Sequence, residues 1–157
     1  MVDDSGMARV TGRDGASAWT EPYGSDLRLH VRGPDLASCA DAVVRAVAEH
    51  VADRQAAGAA ERRPFRLVGA DPPALLVELV DEVIARLDVD GELACAVEAA
   101  DGSAGAGARD VELAGTFVVV PLHGLSLRGA PPKAATWHGT ALEPDRHGWR
   151  GQVLLDL

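Results

Sequence analysis

The sequence predicts an α+β fold, with two helices packed on a largely antiparallel or mixed β-sheet in a single domain. Three observations carry that expectation. A chain of 157 residues suits one hydrophobic core. Two stretches place apolar residues at helical spacing, each introduced by an aspartate in a capping position. The other patterned segments alternate like strands, and most of them follow the second helix, an order typical of an α+β arrangement.

Residues 1 to 20 are rich in Gly, Ser, Asp and Ala without periodicity, so a disordered extension is expected there, with the domain running from 21 to 157. Order begins at "SDLRLHVRG", where Leu27, Leu29 and Val31 alternate with Arg28, His30 and Arg32 as in a half-buried strand. Gly33-Pro34 ends it, and Asp35 caps a helix whose apolar stripe is Leu36, Ala40, Val43, Val44, Val47 and Val51. "RQAAGAAERRP" links to a short strand, "FRLVG". Asp71 then caps a second helix with Pro72 in its first position. Its stripe is Leu75, Leu76, Leu79, Val80, Val83, Ile84 and Leu87, while Glu78, Asp81, Glu82 and Arg86 lie on the wet face. "DVDG" stops this helix at Gly91. Further strands are expected at "ELACAVEA", "VELAGTFVVV", "KAATWHGTAL" and "WRGQVLLDL", with "DGSAGAGARD" as a flexible loop.

Composition excludes several classes. Apolar residues make up 47% and charged residues 25%, an ordinary globular balance, but aromatics are only 4%, so Ala, Val and Leu must fill the core. Runs such as "FVVVPL" are too short to span a bilayer, so no membrane association is expected. Asp3 and Asp4 with no apolar h-region argue against a secretory signal, and a cytoplasmic location is expected. Cys39 and Cys95 then read as reduced packing residues. The net charge is −9 and the longest basic block is Arg62-Arg63, so strong direct nucleic-acid binding is not expected. An acidic surface suits metal ions or a basic partner protein.

Three segments together resemble the archease family, small protein co-factors of the RtcB-type RNA-splicing ligase. "PKAATWHGTAL" followed by "HGWRGQVLLDL" is similar to the family's Lys-Ala-Val-Thr-Tyr-His strand, Trp-containing strand and final Leu-Asp-aliphatic. "LLVELVDEVIARLDVDGELACAVE" is similar to its helix running through an Asp-x-x-Gly turn into a strand. In "SDLRLHVRG", Asp26 matches the Asp of the family's His-Thr-Ala-Asp start. The resemblance covers most of residues 23 to 157. The sequence departs from the pattern at Tyr23-Gly24-Ser25, which replaces His-Thr-Ala. Pro132 replaces a valine, and Gly115-Thr116 stands where the family has Gly-Glu.

The resemblance implies an archease-like fold and a non-catalytic activator of the RtcB-type RNA ligase in tRNA splicing and RNA repair. Such a protein promotes the ligase's guanylation and multiple turnover. It also implies a divalent-metal site at Asp26, Asp156 and the terminal carboxylate of Leu157, for Ca²⁺ first, with Mg²⁺ or Mn²⁺ as alternatives. Three hard oxygen donors suit such ions. The bland alternative for Asp156 is a solvated terminal residue. Lys133, the only lysine in the chain, matches the family's lysine. It and His138 are the candidate partner-binding residues. Against this stand an ordinary strand-end lysine and a sheet histidine bonded to a neighbour. Alternation within the strand would turn Ala135 and Trp137 inward with the lysine stem running along the sheet end.

His30 and His147 are expected at the surface, and His123 has a weak counterpart in the family. Ser126 and Thr136 lack a His/Asp constellation that would make either a nucleophile. Two rival functions stay open: a small metal-dependent hydrolase using Asp26 and Asp156, and a chaperone-like protein-binding module.

Overall fold

The computed structural model describes residues 9–104 and 110–157. Among the described residues, ten strands and two α-helices surround one hydrophobic core. The strands are β1 (Arg9–Thr11), β2 (Ser17–Tyr23), β3 (Asp26–Gly33), β4 (Ala52–Asp53), β5 (Glu61–Gly69), β6 (Glu92–Ala104), β7 (Val111–Pro121), β8 (Ser126–Leu127), β9 (Ala134–Asp145) and β10 (Gly148–Asp156). The helices are α1 (Leu36–Val51), between β3 and β4, and α2 (Pro72–Ala85), between β5 and β6. One sheet runs β1-β2-β3-β10-β9, a second runs β5-β7-β6, and β4 pairs with β8. Every pairing is antiparallel. The expected α+β class is therefore the observed one.

Each helix begins where its cap dictates. Asp35 accepts a hydrogen bond from Ser38 N–H, and Asp71 accepts one from Ala74 N–H, so each side chain satisfies a first-turn donor that has no helical partner. The apolar stripes of both helices enter one cluster with the inner residues of both sheets, among them Leu29, Val31, Val119, Val153 and Leu155. Ala, Val and Leu dominate it. Its main aromatic element is the stacked pair Phe65 and Phe117, with ring centroids 4.1 Å apart.

Four expectations need correction. Residues 9–20 are ordered: β1 and the first part of β2 lie there, and β2 pairs with β3 from Asp26 to Arg32, while residues 1–8 lie outside the described residues. Ala16 and Ala18 are fully buried in this segment, and their small side chains give little hydrophobic signal. The expected loop at 101–110 begins inside β6, which pairs through Ala104 with Val111; residues 105–109 lie outside the described residues. Arg86 is not on a wet face. It is largely buried, with its guanidinium 5.2 Å from the Phe117 ring centroid and paired with Glu82 at 3.1 Å. Trp137 does not turn inward: it is 61% exposed.

The cause of the last difference is a bulge in β9. Thr136 pairs with Leu154 and Ala141 with Gln152, so four residues of β9 stand against one of β10. Gly139 takes φ +72° within it, a conformation that a side chain would strain. Thr140 Oγ1–H donates to Thr136 O at 2.6 Å and Gln152 Nε2–H to Gly139 O at 2.9 Å, which fixes the bulge. Strict alternation fails across such an insertion.

Candidate functional site

The β3–β10 ladder sets the site. Leu155 pairs with Leu27 and both are buried, so the residues that alternate with them, Asp26 and Asp156, project from the opposite, outer face at the same end of the sheet. The β9–β10 register places Ala134 beside Asp156, and Lys133 N–H donates to Asp156 O at 2.7 Å. Leu157 packs its side chain against the core, which holds the chain end beside the two aspartates. The structure thus brings Asp26, Asp156, Leu157 and Lys133 to one corner. Asp26 is half-buried, whereas Asp156 and Lys133 are exposed.

Neither aspartate side chain is tied up by an ion pair or hydrogen bond among the described residues. Likewise, no group of three or more His, Cys, Asp or Glu side chains gathers there in metal-binding geometry. Asp26 and Asp156 are thus the two acidic side chains that this end of the β3–β10 ladder offers, and carboxylate oxygens are hard donors of the kind Ca²⁺ and Mg²⁺ take.

The departure at Tyr23-Gly24-Ser25 has a local reason. These residues turn the chain from β2 into β3, with Tyr23 paired to Asp26. Gly24 takes φ +61° at the first turn position, where a tight hairpin needs glycine. Tyr23 is 47% exposed, and the Arg28 guanidinium lies 4.0 Å over its ring. His138, exposed on the bulge, lines a small cleft with Tyr23, Arg28 and Gln152. Its ring makes no hydrogen bond among the described residues, unlike the bonded sheet histidine considered above.

The other candidates lie elsewhere. His30 is not a plain surface residue: it stacks on Trp19 and its Nε2 lies 2.8 Å from Glu21 Oε1. His147 and His123 are exposed. Cys39 and Cys95 are free and buried. Burial above all pushes the Cys39 thiol up to about 12, with Asp35 and Asp145 adding to it, and burial also raises Cys95. Neither is a poised nucleophile. One residue of this corner was hidden in the sequence. Asp81 of α2 accepts Ala135 N–H at 3.1 Å, closing part of the open edge of β9. An acid on a helix's outer face carries no sign of such a tertiary bond.

Comparison with known proteins agrees with this fold. The model of the archease protein family matches residues 21–157. Proteins of Mycobacterium tuberculosis strains CDC 1551 and H37Rv, each named "Probable protein archease", are 32% identical over 136 residues, which are 87% of this chain and 72% of theirs. Among solved structures, protein 1598 of Methanobacterium thermoautotrophicum is similar with a TM-score of 0.70 at 21% identity, covering 89% of this chain and 98% of that one. A Thermotoga maritima protein described as "an archease, possible chaperone" is similar with a TM-score of 0.53 at 15% identity, covering 87% of this chain and 96% of that one. These two likenesses show the fold, two helices with mostly antiparallel sheets. This chain belongs to the archease family.

Proposed function

We propose that this protein is a non-catalytic activator of an RtcB-type RNA ligase in tRNA splicing and RNA repair, docking through the corner of Asp26, Asp156, Leu157 and Lys133. The observation that supports this most is the β3–β10 register, which brings two unpaired aspartates to one end of the sheet; Lys133 N–H bonds to the backbone of Asp156 there. Asp26, Asp156 and the Leu157 carboxylate would hold a divalent cation, Ca²⁺ before Mg²⁺ or Mn²⁺. The bound ion would offset the repulsion between the carboxylates and fix their geometry. Three donors are fewer than the six to eight oxygens Ca²⁺ takes, so water or a partner's oxygen completes the shell. Lys133 presents a compact ammonium beside the acidic group, suited to a partner's carboxylate or a phosphate. Trp137 and Tyr23 add exposed aromatic surface next to it, the residue types that anchor protein interfaces.

In this reading the ligase carries out the chemistry, and the docked protein shifts it toward the form competent for guanylation. Ligase guanylation is therefore expected to rise with the wild-type protein, and about tenfold less with Lys133→Ala or Asp156→Ala, each removing one charge-assisted contact. Equal guanylation with and without the protein would sink the reading. Calorimetry tests the ion separately. Asp156→Ala, or residues added after Leu157, should abolish Ca²⁺ binding, and unchanged binding would refute the ligand set.

A second reading has one observation behind it. The Thermotoga maritima neighbour is described as a possible chaperone, and the exposed Trp137 and Tyr23 would serve a protein-holding surface as well. Suppression of a client's aggregation without any effect on guanylation would favour it.

A further inference from the structure

Outer-face side chains of the five-stranded sheet stand in rows across the strands. One row reads Ser17, Arg32, Arg150 and Glu143 from β2 to β9. Two arginines directly opposite each other repel, and like charges at such positions destabilise a sheet. Arg32 has no ion pair or side-chain hydrogen bond among the described residues. Arg150 has Glu143, at 3.6 Å. In a chain of net charge −9, two facing cations so weakly compensated are out of keeping with the surrounding surface.

The adjoining row reads Trp19, His30, Gln152 and Ala141. The Trp19 and His30 rings are stacked, with centroids 5.2 Å apart. Ala141 projects only a methyl group. A cleft of about 320 Å³ opens above it, lined by Trp19, His30, Arg32, Glu143, Arg150 and Gln152. Thus a pair of guanidinium forks, an aromatic wall and an amide surround one open space.

The geometry points to a binding site for a nucleoside phosphate, free or at the end of an RNA strand, with its phosphate between Arg32 and Arg150. Guanidinium forks match phosphate oxygens and bind them bidentately, and an anion between them turns the repulsion into attraction. The cleft lies at the small end of ligand sites, room for one nucleoside rather than an extended strand. The Trp19 ring already carries His30 and, 4.4 Å from its centroid, the Arg9 guanidinium, so a base would pack on the His30 side of this stack, and the Gln152 amide has both a donor and an acceptor for a base edge. Glu21 and Glu143 bear on the face here, and Asp14 and Asp145 line a neighbouring cleft with Arg32. Glu21 is held by His30 and Arg28. Glu143 competes for Arg150 and is the group a phosphate displaces.

The full chain at low salt is titrated with inorganic phosphate, adenosine 5′-monophosphate and a 5′-phosphorylated hexaribonucleotide, read by calorimetry and tryptophan fluorescence. The nucleotide should bind more tightly than inorganic phosphate. Arg32→Ala and Arg150→Ala should each weaken it about tenfold or more, as expected for loss of a hydrogen bond to a charged group. Glu143→Gln should tighten it several-fold by freeing Arg150, an effect that a purely structural role would not produce. Arg32→Ala also relieves a repulsion, so its thermal midpoint should not fall. A hexanucleotide bound more tightly than the mononucleotide identifies an RNA end as the source, and equal affinities identify free nucleotide. No binding of any probe at millimolar concentration overturns the site. So does binding indifferent to Arg32 and Arg150, or inorganic phosphate bound as tightly as the nucleotide. No ligase or metal enters the measurement, so its failure and that of the proposed activation are separable.

Discussion

Asp41 is buried on α1, and both of its carboxylate oxygens are engaged. Oδ1 accepts Val97 N–H at 2.8 Å, and Oδ2 accepts Arg13 N–H at 2.8 Å and Arg45 Nε–H at 2.9 Å. One side chain therefore joins the helix to β6 and to the turn between β1 and β2. The sequence could not show this, because an acid among apolar helix positions reads as a flaw in the stripe until its donors are known. Burying a charge is tolerable only when it is paired and hydrogen-bonded. Asp41→Ala leaves two backbone N–H groups and a guanidinium without their acceptor, and should cost about 3 kcal/mol or more in denaturant unfolding. Asp41→Asn keeps one acceptor oxygen and should cost less.

At the scale of elements, both helices were legible because cap, stripe and stop all agree for each. Most strands after α2 were legible too, since their alternation is regular. β2 was not. Ala18 within it and Ala16 just before it give weak contrast, and its turn into β3 lies at Gly24-Ser25, within a polar stretch. The β9 bulge defeated alternation at Trp137 and His138, so one candidate partner residue was placed by its motif and not by its pattern. The candidate metal corner was legible only through resemblance, because Asp26 and Asp156 are 130 residues apart in the chain and meet through a register that no local pattern encodes.

The β2–β3 hairpin also carries a pH dependence. The hydrogen bond from His30 holds the Glu21 carboxyl below its ordinary value of 4.5, and the charges of His30 and Arg28 lower it further. A carboxylate with a lowered folded value stabilises the fold above its unfolded value and loses that effect as pH falls through the folded one. The unfolding midpoints of wild type and Glu21→Gln should therefore differ at neutral pH and converge in acid. A difference that persists unchanged at pH 2 would contradict this.

Over the whole molecule, the family match begins at residue 21, yet the core uses residues that precede it. Ala16 and Ala18 are fully buried, and β2 covers the edge of β3 along seven paired residues. A chain starting at residue 21 should consequently unfold at a lower temperature and aggregate more readily than the full chain, because it bares a sheet edge and apolar surface. Equal thermal midpoints and equal light scattering for the two chains would contradict that expectation.

The place of β10 between β3 and β9 has a consequence for synthesis. On the ribosome β3 is made early, but one of its two pairing edges must wait for residues 148–157, more than a hundred positions later. Until then the nascent chain holds a half-paired β3 and a β9 with no neighbour on its inner side. Ladders between such distant segments close slowly and expose aggregation-prone edges in the meantime. Expression yield should therefore respond more to the emergence and folding of the last strand than to the stability of either helix.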